Sequence, residues 1–324
     1  MLNRREMLRT SGAAALAAGL SGLPLGWQAR AADGKTKKLL VYTRSQTFEH
    51  SVVKPAKDGQ PSLVDRIWTD LAHKHGFEVH CTKDGRIFLP ESLKEFDAFF
   101  FETTGDLNKE NPSGGRGQNT DQSPPMPPEG KKALLDAIAA GKGFIGSHCA
   151  SDTFHSPGPP FANQEPSRQD PYIAMLGGEF IRHGDQQKAT MHVVDPKFPG
   201  VDGQNDFTLH EEWYSLKNFA PDLHVILVNE TQGMRGLDYE RPAFPATWAR
   251  MHHKGRVYYT SMGHREDVWE NPIFQKMLLG ALSWVTGQVE ADISPNLHAA
   301  APKGMELPKA PQPRERGKAQ GKAP

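Results

Sequence analysis

The sequence has few of the patterns that identify well-known kinds of site. Its 324 residues include only two cysteines, Cys81 and Cys149, too few for a disulfide-rich scaffold. It has no C-x-x-C pair, no H-E-x-x-H motif, and no phosphate-binding glycine loop leading from a strand into a helix. The usual signatures of dithiol redox centres, zinc proteases and nucleotide sites are therefore missing. We expect both cysteines to be free thiols.

Long apolar runs are also missing after the first 31 residues. Those residues contain the twin arginines Arg4 and Arg5, the run GAAALAAGLSGLPLG, and the small residues Ala29 and Ala31. This combination predicts a twin-arginine secretory signal over residues 1–31. We expect the mature chain to be periplasmic or otherwise exported, with no membrane-spanning segment.

The charge balance gives no sign of a nucleic-acid partner. The chain has 38 basic and 38 acidic residues, and loss of residues 1–31 leaves 34 against 37. A net negative mature chain argues against binding to a polyanion. Residues 291–324 are poor in large apolar side chains and rich in Pro, Lys and Ala, which predicts a disordered tail.

Short apolar runs alternate with helical patterns through the first half of the chain. The pattern predicts strands over 37–45, 77–83, 96–105 and 143–146, with helices over 61–76 and 129–141. Less regular strands follow, and a last helix is predicted within 271–287. This alternation favours one α/β domain over residues 32–290, with a parallel sheet covered on both faces. Residues 107–128, almost free of apolar side chains, are predicted to be a flexible loop insertion that supplies no core, either a lid or a solvated loop.

Polar side chains follow three of the predicted strands. His50 follows the first, Asp106 the third, and the turn His148–Asp152 the fourth. In parallel sheets ligands bind beyond the carboxyl ends of the strands. The sequence therefore predicts one site at this rim.

Seven motifs, in order, carry a resemblance to a known family. They span about residues 37–287 and are TFEH, ETTGD, GFIGSHCASD, GGEFIRHGDQQKATMHVVD, HEEWYSL, PATWARMHHKGRVYYTSMGH and NPIFQKMLLGALSWVTG. The set resembles the ThuA-like (trehalose utilisation) family. That resemblance implies a flavodoxin-like, class I glutamine amidotransferase-like fold, an α/β three-layer sandwich with a mostly parallel central sheet.

The resemblance also bears on the turn GSHCA. Glutamine amidotransferases have a nucleophilic cysteine at the bend, where this chain has His148 and Cys149 comes one residue later. We therefore expect no glutaminase activity. His148 is the first catalytic candidate, and Asp152, four residues on, is expected either to orient it or to cap the helix.

Further candidates match histidines and an acidic position of the family pattern. Glu212 and His264 join His148 and Asp152 as catalytic candidates, while His50, Asp106 and Tyr214 are candidates for substrate binding. His210 and Glu212 are expected on one face of a strand and Glu211 on the other. A metal site is left open, with His148, His183 and His264 as its candidate ligands and zinc as the first candidate ion.

Two classes of function stay open at this stage. The resemblance implies an exported enzyme of carbohydrate utilisation that acts on a disaccharide or an oxidised keto-sugar, as a hydrolase, lyase or isomerase. The alternative is a non-catalytic glycan-binding module on the same fold. In both cases the expected partner is a small carbohydrate, and the sequence gives neither the substrate nor the oligomeric state.

Overall fold

The computed structural model describes residues 36–56, 59–111 and 119–311, which form an α/β fold around one large sheet. Its strands are β1 Lys38–Tyr42, β2 Glu78–Thr82, β3 Ala98–Phe101, β4 Gly143–Ser147, β5 Glu179–His183, β6 Gln187–Val193, β7 Phe207–Glu211, β8 Tyr214–Lys217, β9 His224–Asn229, β10 Phe244–His252 and β11 Gly255–Thr260. Its helices are α1 Leu63–Lys74, α2 Pro90–Leu93, α3 Gly130–Ala139, α4 Pro171–Leu176, α5 Glu266–Trp269, α6 Pro272–Val285 and α7 Leu297–Ala300.

The nine strands of the large sheet lie in the order β2-β1-β3-β4-β11-β10-β9-β6-β7. The first five are parallel neighbours, and the other four continue the sheet through antiparallel pairs. Only β10 and β6 therefore run against the other strands. The predicted mostly parallel sheet is confirmed, and the carboxyl ends of β1, β3, β4, β7 and β11 point toward the same edge.

Two apolar layers cover the faces of this sheet. One contains side chains of α1, α5 and α6, including the buried Trp68 and Trp269. The other contains side chains of α2, α3, α4 and α7, including Leu134 and Tyr172. The three-layer sandwich predicted from the family resemblance is confirmed.

Local signals account for the helix boundaries. Ser62 begins α1 with a reciprocal capping box to Asp65, which satisfies backbone N–H groups that have no partner within the helix. Asn271 caps α6 by accepting from Ile273 N, and Pro272 occupies the first turn. The helices predicted at these two places are confirmed.

The segment 107–128 differs from the expectation of a loop without core contacts. Leu107 and Met126 are buried in the core, and the Asp121 carboxylate accepts from Ser45 N at 2.8 Å. The described ends of this segment are thus packed onto the turn that follows β1. Residues 112–118 lie outside the described part of the chain.

The expectation of disorder from residue 291 onward is wrong for residues 291–311. This segment forms α7 and buries Leu297 against the second core layer. The Asn296 side chain accepts from Val225 N at 2.6 Å, and the Gly304 carbonyl accepts from Arg241 Nη2 at 2.8 Å. Its composition did not indicate this order, because a few apolar and capping residues suffice to hold a segment against an existing core.

Two further expectations concern the chain ends and membranes. The predicted signal at 1–31 and the last tail residues, 312–324, lie outside the described residues. Among the residues that are described, no helix has the length and apolar character needed to cross a membrane.

Candidate active site

Four strand ends bring three histidines and one glutamate together. His50 follows β1, His148 follows β4, Glu212 follows β7 and His264 follows β11. One ligating atom from each lies within 4.8 Å of the others. We call these four residues the His–Glu cluster. Residues far apart in sequence meet here because the strands that carry them end at one edge of the sheet.

His148 sits on a sharp turn from β4 into the short 3₁₀ helix His148–Asp152. Its φ is +40°, in the left-handed region. Its carbonyl is held by Tyr259 Oη at 2.8 Å and Ser151 Oγ at 3.1 Å. Its Nδ1–H donates to the Ser261 carbonyl at 3.1 Å. The proton on Nδ1 leaves the lone pair of Nε2 directed at the cluster.

Glu212 is the centre of the cluster. Its Oε2 lies 3.0 Å from His264 Nδ1 and 3.5 Å from His148 Nε2, and its Oε1 lies 3.3 Å from His183 Nδ1. Burial alone would raise the pKa of Glu212, but the neighbouring His148 and His264 lower it well below its usual range. Glu212 is therefore a carboxylate at neutral pH, because its charge is offset by imidazoles.

The environment favours different protonation states for His50 and His264. Burial and then the neighbouring His148 and His264 lower the pKa of His50 well below its usual value. Burial also lowers the pKa of His264, but Glu212 outweighs it and the net shift is upward. His50 is therefore neutral near pH 7, whereas His264 is the imidazole that can hold a proton.

Cys149 is not available as a nucleophile. It is buried, and its thiol lies 3.4 Å from Glu102 Oε1. Burial and then the Glu102 carboxyl raise the pKa of the Cys149 thiol well above its usual value. The expectation of free cysteines is confirmed for both positions.

Several predicted site residues lie elsewhere. The Asp152 carboxylate lies 2.7 Å from His155 Nε2, so it does not orient His148. Asp106 lines a neighbouring cleft with Lys131 and His155. Asp152 has a different partner because the elbow continues as one 3₁₀ turn rather than an α-helix, which changes the direction of side chains four residues apart.

Tyr214 and His183 lie beside the cluster. The Tyr214 ring is covered by His148 and Phe180, with centroids at 3.9 and 4.1 Å, and so has no free face for a sugar. Its hydroxyl lies 3.5 Å from His50 Nε2. His183 is not one of the four cluster residues, and its Nδ1–H donates to the Gly184 carbonyl at 2.9 Å.

Sequence reasoning missed two buried carboxyl groups and one exposed ring. Glu211 Oε2 accepts from Gly263 N at 3.0 Å and His264 N at 3.2 Å, and so fixes the turn that carries His264. Glu102 accepts from Ser147 Oγ behind the elbow. Phe48 is 48% exposed, with its ring 4.9 Å from that of His50.

The expected alternation of His210 and Glu212 on one face and Glu211 on the other is not found. Strand β7 ends at Glu211, so Glu211 and Glu212 are both buried while His210 is exposed.

The cluster combines neutral imidazole, a carboxylate and limited access to solvent. The side chains of Glu212 and His264 are 12% and 16% exposed, and that of His183 is 41% exposed. Such groups suit proton transfer or ligation of a cation. The site opens toward solvent on the side of His183 and His264.

Comparisons with known proteins agree with this architecture. The family model described as ThuA, trehalose utilisation, matches residues 38–285. A ThuA-like protein from Bacteroides uniformis is 19% identical, with a TM-score of 0.53 over 77% of this chain and 91% of that chain. A second ThuA-like protein, from Parabacteroides merdae, is 15% identical, with a TM-score of 0.49 over 78% of this chain and 91% of that chain. No curated protein sequence matches.

Proposed function

Because the chain belongs to the ThuA (trehalose utilisation) family, we propose that it is an enzyme of carbohydrate utilisation that acts at the His–Glu cluster. The observation that carries this proposal is the meeting of three imidazoles and one carboxylate at the carboxyl-end edge of the sheet. The substrate that suits these groups is a disaccharide, above all one oxidised to a keto-sugar. A proton on carbon beside a carbonyl is acidic enough for an imidazole base to remove.

His183 is the base that the geometry favours. Its Nδ1–H donates to Gly184, so Nε2 carries the free lone pair, and the side chain is 41% exposed. In the proposed step the C–H bond beside the sugar carbonyl breaks and an Nε2–H bond forms. The electron pair moves to the carbonyl oxygen, giving an enolate that the imidazole of His264, whose pKa Glu212 raises, stabilises as a proton donor. The electron pair then returns to re-form the carbonyl, and the bond from the neighbouring carbon to the glycosidic oxygen breaks. The leaving oxygen takes the proton that His183 Nε2 carries, and addition of water to the new double bond would complete a net hydrolysis.

Phe48 supplies an apolar surface for the sugar ring at the mouth of the site. It is 48% exposed and stands edge-on to His50, with centroids 4.9 Å apart. Exposed aromatic rings beside convergent polar groups are typical of ligand sites. Phe48→Ala is expected to raise KM with little change in kcat. The control is Met251→Ala, which removes an exposed side chain near the carboxyl end of the antiparallel strand β10, and it should change neither KM nor kcat.

The first experiment is a screen of native and oxidised disaccharides with the purified mature protein, followed by turnover assays and calorimetry. Turnover supports the enzyme. Binding without turnover supports the alternative, a glycan-binding module on the same fold. The absence of both for every disaccharide would refute the carbohydrate assignment.

A second experiment tests the roles of the residues. His183→Gln should lower kcat by about 10²–10⁴-fold and remove the acidic limb of the pH–rate profile. His148→Ala and His264→Ala should each abolish most activity, and the double variant should be little worse, since groups that act on one transition state are not additive. His73→Ala, on the exposed face of α1, is the matched control. Full activity of a folded His148→Ala protein would rule out the cluster as the active site.

We also propose that the protein works outside the cytoplasm as an exported protein, supported by the twin arginines Arg4 and Arg5 and the small residues Ala29 and Ala31. Its expected partner is a small carbohydrate rather than nucleic acid or membrane.

A further inference from the structure

We infer that His50, His148, Glu212 and His264 bind one divalent transition-metal ion of the zinc type, an inference that rests on the proposed function because both use the same site. The ligand set differs from the one that the sequence suggested. His50 and Glu212 enter it, and His183 does not.

The spacing of the four ligands suits such an ion. At metal–ligand distances of about 2.0–2.1 Å, a tetrahedral site has ligand atoms about 3.3–3.4 Å apart. Glu212 Oε2 lies 3.0 Å from His264 Nδ1 and 3.5 Å from His148 Nε2. All four ligand atoms lie within 4.8 Å of one another, so the most distant pair must approach by at most about 1.4 Å to reach tetrahedral spacing.

The three imidazoles also have unsatisfied nitrogens. Nδ1 of His50, Nε2 of His148 and Nδ1 of His264 are buried and form no hydrogen bond of regular geometry among the described residues, although the last two lie 3.5 and 3.0 Å from Glu212 Oε2. Leaving one buried polar atom unpaired costs about 1–3 kcal/mol. Three such nitrogens around one carboxylate are difficult to explain as packing, and a shared cation would satisfy all of them.

Contacts outside the four ligands hold two of them in position. The Ser261 carbonyl fixes the Nδ1 proton of His148, so that Nε2 faces the cluster. His183 Nδ1–H, which donates to the Gly184 carbonyl at 2.9 Å, also lies 3.3 Å from Glu212 Oε1, while Oε2 is the oxygen nearer the other ligands. Such outer contacts orient metal ligands and fix their tautomers.

One neighbour should turn when the ion binds. The Gln186 side-chain amide nitrogen lies 2.9 Å from His264 Nε2, while its oxygen accepts from Arg265 Nη1 at 2.6 Å. Ligation through Nδ1 places the proton on Nε2, which then needs an acceptor. We expect the Gln186 amide to rotate and present its oxygen, while Arg265 keeps its two contacts to Asp267.

The donor set selects the class of ion. Three imidazoles and one carboxylate suit zinc and its transition-metal neighbours, whereas Mg²⁺ and Ca²⁺ prefer all-oxygen sites. The partly exposed side of Glu212 and His264 leaves room for a substrate oxygen as a further ligand.

The test uses untagged mature protein, because a polyhistidine tag would itself bind zinc. The protein is stripped with a chelator, and zinc, magnesium and calcium are each titrated by calorimetry, with bound metal measured by elemental analysis. We expect one zinc per chain, with no comparable binding of magnesium or calcium. His148→Ala and Glu212→Gln should each weaken zinc binding by at least 100-fold, and Gln186→Leu by about 10–100-fold.

The control is His155→Gln, which removes a histidine that contacts two carboxylates, those of Asp152 and Glu179, outside the cluster. It should keep full zinc affinity. Circular dichroism verifies the fold of each variant, and His264→Asn provides a replacement closer in size.

The results separate this inference from the proposed function. Stoichiometric zinc that the cluster variants lose, without turnover of any sugar, supports the metal centre and counts against the enzyme. Turnover by a protein that binds no zinc at the cluster supports the enzyme and overturns the metal centre. Zinc binding that the cluster variants leave unchanged, or no zinc binding, also overturns it.

Discussion

The backbone conformation at His148 can be tested by comparing the stabilities of two variants that both lack the imidazole. The comparison is between His148→Ala and His148→Gly, which both remove the side chain that faces the cluster and differ only in Cβ. The native φ at this position is +40°. A residue with Cβ is disfavoured in the left-handed region by about 1–2 kcal/mol, and glycine is not.

The expected difference follows from two opposing terms. Glycine avoids that conformational cost in the folded state, but it loses roughly 0.5–1 kcal/mol more backbone entropy on folding than alanine. The balance favours glycine by about 0.5–1 kcal/mol. For a domain of this size, that corresponds to a melting temperature roughly 1–4 °C higher for His148→Gly than for His148→Ala.

Thermal and urea unfolding, both in the presence of a chelator, measure the difference. The positive control is His253, an exposed hairpin residue with φ +53°, where glycine should also be more stable than alanine. If His148→Ala were as stable as His148→Gly while the pair at His253 differed as expected, the elbow geometry would be wrong. The direction of the His148 side chain would then need revision.

Three further predictions concern the thiol, the signal and one ion pair. Cys149→Ala should keep its activity and lose about 1–2 kcal/mol of stability, and the native Cys149 thiol should resist alkylation until the chain unfolds; loss of turnover or a trapped thioester would contradict this. Replacing Arg4 and Arg5 together with lysine should retain the precursor in the cytoplasm, as fractionation would show, and continued export would refute the signal. Burial lowers the pKa of His155, but two carboxylates raise it to a net value of about 9. The charged imidazole therefore stabilises the fold fully below its unfolded pKa of about 6.5, and progressively less as the pH rises through about 9. His155→Gln should therefore lower the unfolding free energy at pH 6 by less than about 1 kcal/mol, since the side chain is 46% exposed, with no difference at pH 10.5; an equal loss at both pH values would exclude the charge as its cause.

The sequence determined the local structure of much of this chain. The spacing of apolar residues, the caps at Ser62 and Asn271 and the turn at His148 placed the first sheet strands, α1, α6 and the elbow. These features depend on contacts within a few residues, so they can be read from periodicity and turn chemistry. The meeting of strand ends at one edge followed from the parallel sheet.

Only the tertiary structure decided which groups meet at that edge. The sequence suggested His183 and not His50 as a metal ligand, yet His50 is one of the four cluster residues, whereas His183 donates to the Gly184 carbonyl and contacts only the Glu212 edge of the cluster. Asp152 contacts His155 instead of His148. The physical reason is that the order of the strands, the point at which β7 ends and the twist of the sheet bring distant residues within a few ångströms of one another. Successive side chains of a strand point to opposite faces, so a shift of one residue in the position at which a strand ends moves a side chain to the other face. No local pattern in the sequence specifies that position.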